Sequence, residues 1–513
     1  MAETADVVET VKQGYAFGGP AIELGALLVD GTPNPEAAVR IPLSMVNRHG
    51  LVAGATGTGK TKTLQLMAEQ LSAAGVAVFA ADIKGDLSGI SQPGQSSDKL
   101  LDRTKTIGQE WTATGFPTEF YALGGQGTGI PIRATITSFG PVLLSKVLGL
   151  NEVQESSLGL IFHYADSQGL TLLDLKDLRS VITHLTSDEG KGDLKDLGGL
   201  SAATAGVILR SLIGFADQGA DAFFGEPEFD TADLMQQRDG KGVVSLLELP
   251  NLQDRPALFS TFLMWLLADL FHDLPEVGDV DKPKLVFFFD EAHLLFADAS
   301  KAFLSSIAQT VRLIRSKGVG VFFVTQTPKD VPDDVLAQLG SRVQHQLRAH
   351  TPNDAKALKA TVSTFPNSSY DLGEVLTQLG IGEAIVTVMN EKGAPTPVAW
   401  TRLRAPQSLM APASAEQLTA AVQASAGNAK YTEVIDRESA YEKLAARVQA
   451  GAQQAEEEAK KAPEPKAAPA PRAQKHEKSM VEQVVGSSAF KQFARTAGRE
   501  IVRGLFGAAR RKR

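Results

Sequence analysis

The stretch "GLVAGATGTGKT", Gly50 to Thr61, constrains the fold of this chain more than any other. A short apolar run leads into a Gly-rich loop. A helical pattern follows, with Leu64, Met67, Ala68 and Leu71 on one stripe and Gly75 as its stop. Gly54, Gly59, Lys60 and Thr61 satisfy G-x-x-x-x-G-K-[ST]. Glycine lets successive backbone N–H groups point inward around an anion, because no Cβ stands in the way. The helix that follows aims its positive end at the same place. Gly54, Ala55, Thr56, Gly57, Thr58, Gly59, Lys60 and Thr61 are therefore expected to cradle the phosphates of a nucleoside triphosphate. Lys60 would reach the β- and γ-phosphates, and the Thr61 hydroxyl would bind Mg²⁺.

A strand–loop–helix unit of this kind belongs in an α/β protein, and the rest of the chain agrees. Short apolar runs, "VAVFAAD", "GVVSLLEL", "KLVFFFDE", "GVFFVTQ" and "EAIVTV", alternate with amphipathic helical patterns. That alternation predicts a mainly parallel sheet with helices on both faces. Between the first and second of these runs, "GPVLLSKVLGL", "QESSLGLIFHYADSQ" and "LLDLKDLRSVITHL" predict a helix-rich stretch. The expected organisation is a lead-in over 1–40, a first part of an ATPase core over 41–140, a helical insertion over 141–235 and a second part over 236–408. A charged helical and Pro/Ala-rich linker over 409–486 and a basic amphipathic helix over 487–513 would complete it.

The composition narrows the classes of function. No cysteine is present among 513 residues, which excludes disulfides, iron–sulfur clusters and thiol chemistry and fits a cytoplasmic protein. A net charge of −8 excludes a globally basic nucleic-acid coat, so any such contact must come from a local patch. No run approaches the ~20 apolar residues that cross a bilayer, and the N-terminus does not read as a signal peptide.

The second chemical landmark is "KLVFFFDEAH", an apolar strand ending in paired acids. Beside a phosphate loop, Asp290 is expected to hold Mg²⁺ through water and Glu291 to orient or deprotonate the attacking water. Val286–Phe289 read as core strand rather than as an aromatic binding surface, and His293 as structural or a neighbour of the site. The next strand ends at Gln326, where a polar side chain would sense the γ-phosphate or simply cap the strand. "ADIKGD" places Asp82, Lys84 and Asp86 at another strand end, lining the same crevice or forming a solvated turn.

Together these landmarks resemble the HerA–FtsK superfamily of hexameric P-loop motors, most closely its YjgR-type HerA-like branch. The resemblance rests on "NRHGLVAGATGTGKT", "LPEVGDVDKPKLVFFFDEAHLLF", the strand ending in "TQTP", and "GSRVQHQLRAHTPNDAKALK". It covers roughly residues 15–410 and implies a RecA-like core with a large helical insertion between the two motifs, ATP and Mg²⁺ as ligands, and a homo-hexamer. It makes Gln326 the polar sensor. It also implies an arginine finger offered across a subunit interface, with Arg342 the first candidate, then Arg348, then Arg312 and Arg315. HerA carries an N-terminal β-barrel that docks a nuclease. Only a short lead-in precedes the phosphate loop here, so that partnership is not expected to transfer. "DLSGISQPGQ" lacks the Gly-Gly-Gln core of the ABC transporter signature and lies in the wrong place for it.

From residue 489 to the end there are eight Lys/Arg and one acid, arranged for a helix with opposite apolar and basic faces. Such a helix can bind DNA phosphates, lie on an anionic membrane, or dock on the acidic body or a protein partner. The expected function is ATP hydrolysis coupled to movement of a polymer, with DNA as the cargo by family analogy. The alternatives are remodelling or export of a protein partner at the membrane, and a slow nucleotide-gated scaffold. The protein would be cytoplasmic, at the membrane periphery or on the nucleoid.

Overall fold

The computed structural model describes residues 2–195, 198–249, 256–278, 280–296 and 301–461. The chain divides into two units, Met1–Arg437 and Glu438–Arg513. The first begins with helix α1 (Ala2–Gly14) and strands β1 (Ala21–Val29) and β2 (Thr32–Pro42), and β3 (Gly50–Ala53) and α2 (Lys60–Ala73) flank the Gly-rich loop. Next come β4 (Ala77–Asp82), α3 (Asp98–Thr106), β5 (Thr118–Leu123) and β6 (Ile130–Ile132). The helical stretch contains α4 (Ile136–Val147), α5 (Glu152–Ser167), α6 (Leu175–Thr186) and α7 (Ala202–Asp217). A small hairpin, β7 (Gln237–Arg238) and β8 (Lys241–Gly242), precedes β9 (Val244–Glu248), α8 (Pro256–Asp273) and β10 (Leu285–Phe289). The order then runs α9 (His293–Phe296), α10 (Lys301–Ile314), β11 (Val319–Thr325), α11 (Asp333–Leu336), β12 (Ser341–Gln344), α12 (Pro352–Val362), α13 (Leu372–Gln378), β13 (Glu383–Thr387) and β14 (Ala399–Leu403). Helices α14 (Ala415–Ala424) and α15 (Ala426–Tyr431) follow.

These strands form a 12-stranded sheet in the order β2-β1-β14-β13-β12-β3-β11-β10-β4-β9-β5-β6. From β12 to β6 every neighbouring pair is parallel, and from β12 to β2 every pair is antiparallel. The fold is the α/β class that the alternating pattern predicts. Strands β10 and β11 are buried at every position, which is why "LVFFF" and "VGVFFVT" carry no polar alternation. Phe287, Phe288 and Phe289 are fully buried, so this run is core, as its sequence predicts. Gly50 starts β3 because a Cβ there would lie 2.2 Å from the Phe322 ring on β11. His49, just before it, accepts a hydrogen bond at Nδ1 from the Val321 N–H, 3.1 Å away. Burial pushes its imidazole down to about 4, so it acts as a neutral tie between the starts of β3 and β11.

Two boundaries differ from the sequence expectation. The 1–40 segment is no separate lead-in. Its strand β1 pairs with both β2 and β14 and extends the main sheet. Strand β1, "AIELGALLV", is buried at five consecutive positions, Leu24 to Leu28, whereas β2 is exposed or half-buried over its first five residues. Residues 409–437 are not linker either, since Leu418, Ala421 and Val422 pack on the main core and Tyr431 is 1% exposed. The helical stretch starts at Ile136, and α4 is broken by Gly140 and Pro141. In the second unit, the described part is chiefly α16 (Ala440–Lys461), and the Pro/Ala run and the basic 487–513 segment lie outside the described residues. No helix among the described residues is long and apolar enough to cross a membrane.

Candidate nucleotide site

Parallel register brings the motifs to one edge. Ala53 is paired with Thr325 on β11 and Gln344 on β12, while Phe289 on β10 is paired with Phe323 on β11 and Ala81 on β4. The residues that follow, Gly54, Gln326, His345, Asp290 and Asp82, therefore share the carboxyl end of the sheet, where open α/β sheets bind ligands.

The loop itself is held from three sides. The Gly54 N–H donates to Thr325 O at 3.1 Å, Ala55 N–H to Gln346 O at 2.8 Å, and Gly382 N–H to Thr58 O at 3.1 Å. Gly54 is required by close approach, since its Cβ would lie 2.4 Å from that of His345. Gly59 has φ +114°, a conformation that side chains rarely adopt, and it caps α2 with no side-chain hydrogen bond. Helices α5, α6, α12 and α14 close their N-termini with reciprocal capping boxes. The first N–H groups of α2 lack such a cap, as an anion-binding helix start requires.

Lys60 is buried and its Nζ donates to Ala55 O within the loop, at 3.2 Å. Burial lowers its pKa, with Glu291 and then Asp290 working against that. Asp290 is 1% exposed; its Oδ1 accepts from the Glu291 N–H at 2.9 Å and its Oδ2 has no protein partner. Burial, and then the Glu291 charge, push this carboxyl up to about 7. An oxygen that is buried, unpartnered and acidic beside a phosphate cradle calls for a cation. Thr61 is the second residue of α2, in the same cradle, so the donor set fits Mg²⁺.

Glu291 follows β10 with φ +49° and pairs through Oε1 with the Lys84 ammonium. Burial raises its pKa, but Lys84 outweighs that and holds the carboxylate below its ordinary value. Its Oε2 lies 3.2 Å from His293 Nδ1, so His293 neighbours the site. Gln326 is exposed just beyond β11. Its turn is pinned by Asp330, whose Oδ2 accepts from Thr325 Oγ1 at 2.7 Å and Thr327 N–H at 3.0 Å.

The arginines divide. Arg342 is engaged in its own chain, with Thr364 and with the Phe365 ring 5.9 Å away. Arg348 is exposed, its Nη2 3.4 Å from Thr56 O of its own phosphate loop, and Arg312 is exposed on α10.

Asp330, Gly382 and His345 were not legible as site residues. His345 Nε2 lies 2.9 Å from Thr63 Oγ1, beneath the loop. Burial, with Lys60 second, pushes its imidazole down to about 4. A neutral buried histidine stabilises the fold above its unfolded pKa, and that contribution fades as pH falls from ~6.5 towards the folded value. The stability advantage of the parent over His345→Gln should therefore shrink by about 3 kcal/mol between about pH 7.5 and about pH 4. Urea unfolding of both proteins at each pH checks this, and a constant difference would show that His345 does not take up a proton on unfolding.

A phosphate loop on β3 and α2, facing a paired-acid strand end on β10, defines a P-loop ATP hydrolase with a RecA-like core. The chain belongs to the helicase HerA-like C-terminal family, whose profile matches residues 28–513, and so to the superfamily its motifs resemble. It is 23% identical over 376 residues to a DNA double-strand break repair helicase HerA of Sulfurisphaera tokodaii, spanning 72% of this chain and 67% of that one. A probable helicase of Methanocaldococcus jannaschii is 33% identical over 153 residues, 28% of each chain. Among solved structures, plasmid coupling protein TrwB in complex with ADP and Mg²⁺ matches with TM-score 0.50 and 17% identity, covering 76% of this chain and 97% of that one. That likeness concerns the fold.

Proposed function

We propose that this protein is a ring-forming motor, a homo-hexamer that hydrolyses ATP to move DNA. The observation that carries the reading is the buried, unpartnered Asp290 Oδ2 set beside the uncapped start of α2, within a chain of the HerA-like family. Thr61 and Asp290 would hold Mg²⁺, which when bound neutralises charge on the β- and γ-phosphates. Lys60 binds the same oxygens, and Glu291 accepts the proton of the attacking water. Gln326, exposed between the phosphate loop and the acids, senses the γ-phosphate. The arginine finger comes from a neighbouring subunit. Arg312 on α10 is exposed and so open to such a contact, whereas Arg342 would first have to leave Thr364. DNA as cargo is supported by the relatives named as DNA repair helicases.

The test is steady-state ATP turnover with and without double-stranded DNA, with native mass measurement in ATP. We expect turnover to rise about tenfold with DNA, in line with a site completed by assembly. A six-subunit species is expected alongside it. Turnover indifferent to DNA would overturn the cargo, and a monomer at full activity would overturn the ring.

A further inference from the structure

Lys84 belongs to "ADIKGD", which spans the end of β4, the strand beside β10 in the sheet, and the loop after it. The base of its loop is rigid. Fully buried Asp82 accepts at Oδ1 from the Gly85 N–H (2.8 Å) and Asp86 N–H (3.2 Å), and at Oδ2 from the Leu87 N–H (2.8 Å). The Lys84 side chain, by contrast, is 40% exposed while its partner Glu291 is 7% exposed. One end of this ion pair is therefore fixed in the site, and the other is free to rotate into solvent without moving the loop.

A general base needs an oxygen within hydrogen-bond reach of the water that it activates. In Glu291, Oε1 is taken by Lys84, while Oε2, 3.2 Å from His293 Nδ1, is buried and makes no hydrogen bond, so the Lys84 pair is what fixes the direction of the carboxylate. We propose that Lys84 is a latch: in the resting subunit it holds Glu291 off the attacking water, and engagement of the cargo opens it. Lys84 is thus a positioning residue that acts through Glu291, and this rests on the reading of Glu291 as the group that activates water. No backbone rearrangement is needed to open the latch, because the Lys84 stem is the moving part.

The experiment is the ATPase of the full chain, as parent, Lys84→Met and Lys84→Arg, with and without double-stranded DNA. The KM for ATP and the melting midpoint are measured alongside. Lys84→Met should raise basal kcat about fivefold, the factor that about 1 kcal/mol represents for a part-exposed pair. It should leave the KM and the DNA-saturated rate within about twofold of the parent, so that the stimulation ratio collapses. Lys84→Arg, which keeps a cation on Oε1, should keep the low basal rate. The latch is overturned if basal kcat of Lys84→Met is unchanged or lower. A raised KM with lower kcat in both conditions would make Lys84 a phosphate ligand, and a lower melting midpoint with proportional loss of both rates would make it a structural bridge. Glu291→Gln assayed beside them separates the premises. If it turns over ATP at the parental rate, the catalytic reading of Glu291 fails and the latch with it. If only the parent's response to DNA is missing, the cargo reading fails while the basal rates still decide the latch.

Discussion

Glu291→Gln should lower ATP turnover by about 10²–10⁴-fold, the range for loss of a general base, while ATP and Mg²⁺ still bind. The substitution is close to isosteric and keeps the backbone bond from residue 291 to Asp290 Oδ1. The groups assigned to binding, Lys60, Thr61 and Asp290, are untouched. What is lost is the acceptor for the water's proton. The readout is a split: nucleotide affinity by titration within about threefold of the parent, against a collapse of single-turnover hydrolysis. Hydrolysis within about threefold of the parent would mean that another group takes the proton. Asp330 would then be the next residue to test, because its charge reaches Lys60 and its carboxylate fixes the turn that carries Gln326.

Much of this site could be read from the sequence because its chemistry imposes local spacing. The loop from Gly54 to Thr61 and the pair Asp290–Glu291 are each contiguous, so eight letters and two letters suffice. The strands that were legible, β4, β9, β10, β11 and β13, are largely buried apolar runs. Strand β12, "SRVQ", and strand β14, "AWTRL", were not legible, because each is short and mixes polar and apolar letters without the regular alternation that marks a strand. Missing β12 meant missing His345, which reaches the phosphate loop only through the pairing of β12 with β3. Gly382 is a similar case, since nothing in "GIGEA" shows that it donates to Thr58 O. Local chemistry leaves a mark in sequence; a contact made across some 290 residues leaves none until the fold is known.

Glu69→Ala tests another such long-range contact and should destabilise the protein by about 3 kcal/mol. Glu69 sits on α2, 2% exposed, in the turn that a sequence reader would assign to solvent from its charge. Its Oε2 accepts from the Gln407 N–H at 2.8 Å, and its Oε1 from the Ser408 N–H at 3.0 Å and from the Ser408 hydroxyl. Gln65, one turn earlier, donates to Ser408 Oγ at 2.7 Å and Leu409 O at 2.9 Å. The strap so anchored crosses the loop after β4, where Leu409 N–H donates to Gln92 O at 2.9 Å and Ala413 N–H to Ser88 Oγ at 3.0 Å. Removing the carboxylate leaves two buried N–H groups and a hydroxyl without an acceptor, each costing ~1–3 kcal/mol. Relief of burying a carboxylate, the main cause of its raised pKa, offsets part of that sum. Urea midpoints measure the loss, and limited proteolysis should show earlier cutting near residues 405–413. A loss below about 1 kcal/mol with unchanged cutting would mean that the strap's own backbone bonds hold it. The consequence reaches the chemistry because α2 carries the phosphate loop at its first residue and the strap at its third turn. A helix seated less firmly at one end positions Lys60 less firmly at the other, so the same variant should also raise the KM for ATP.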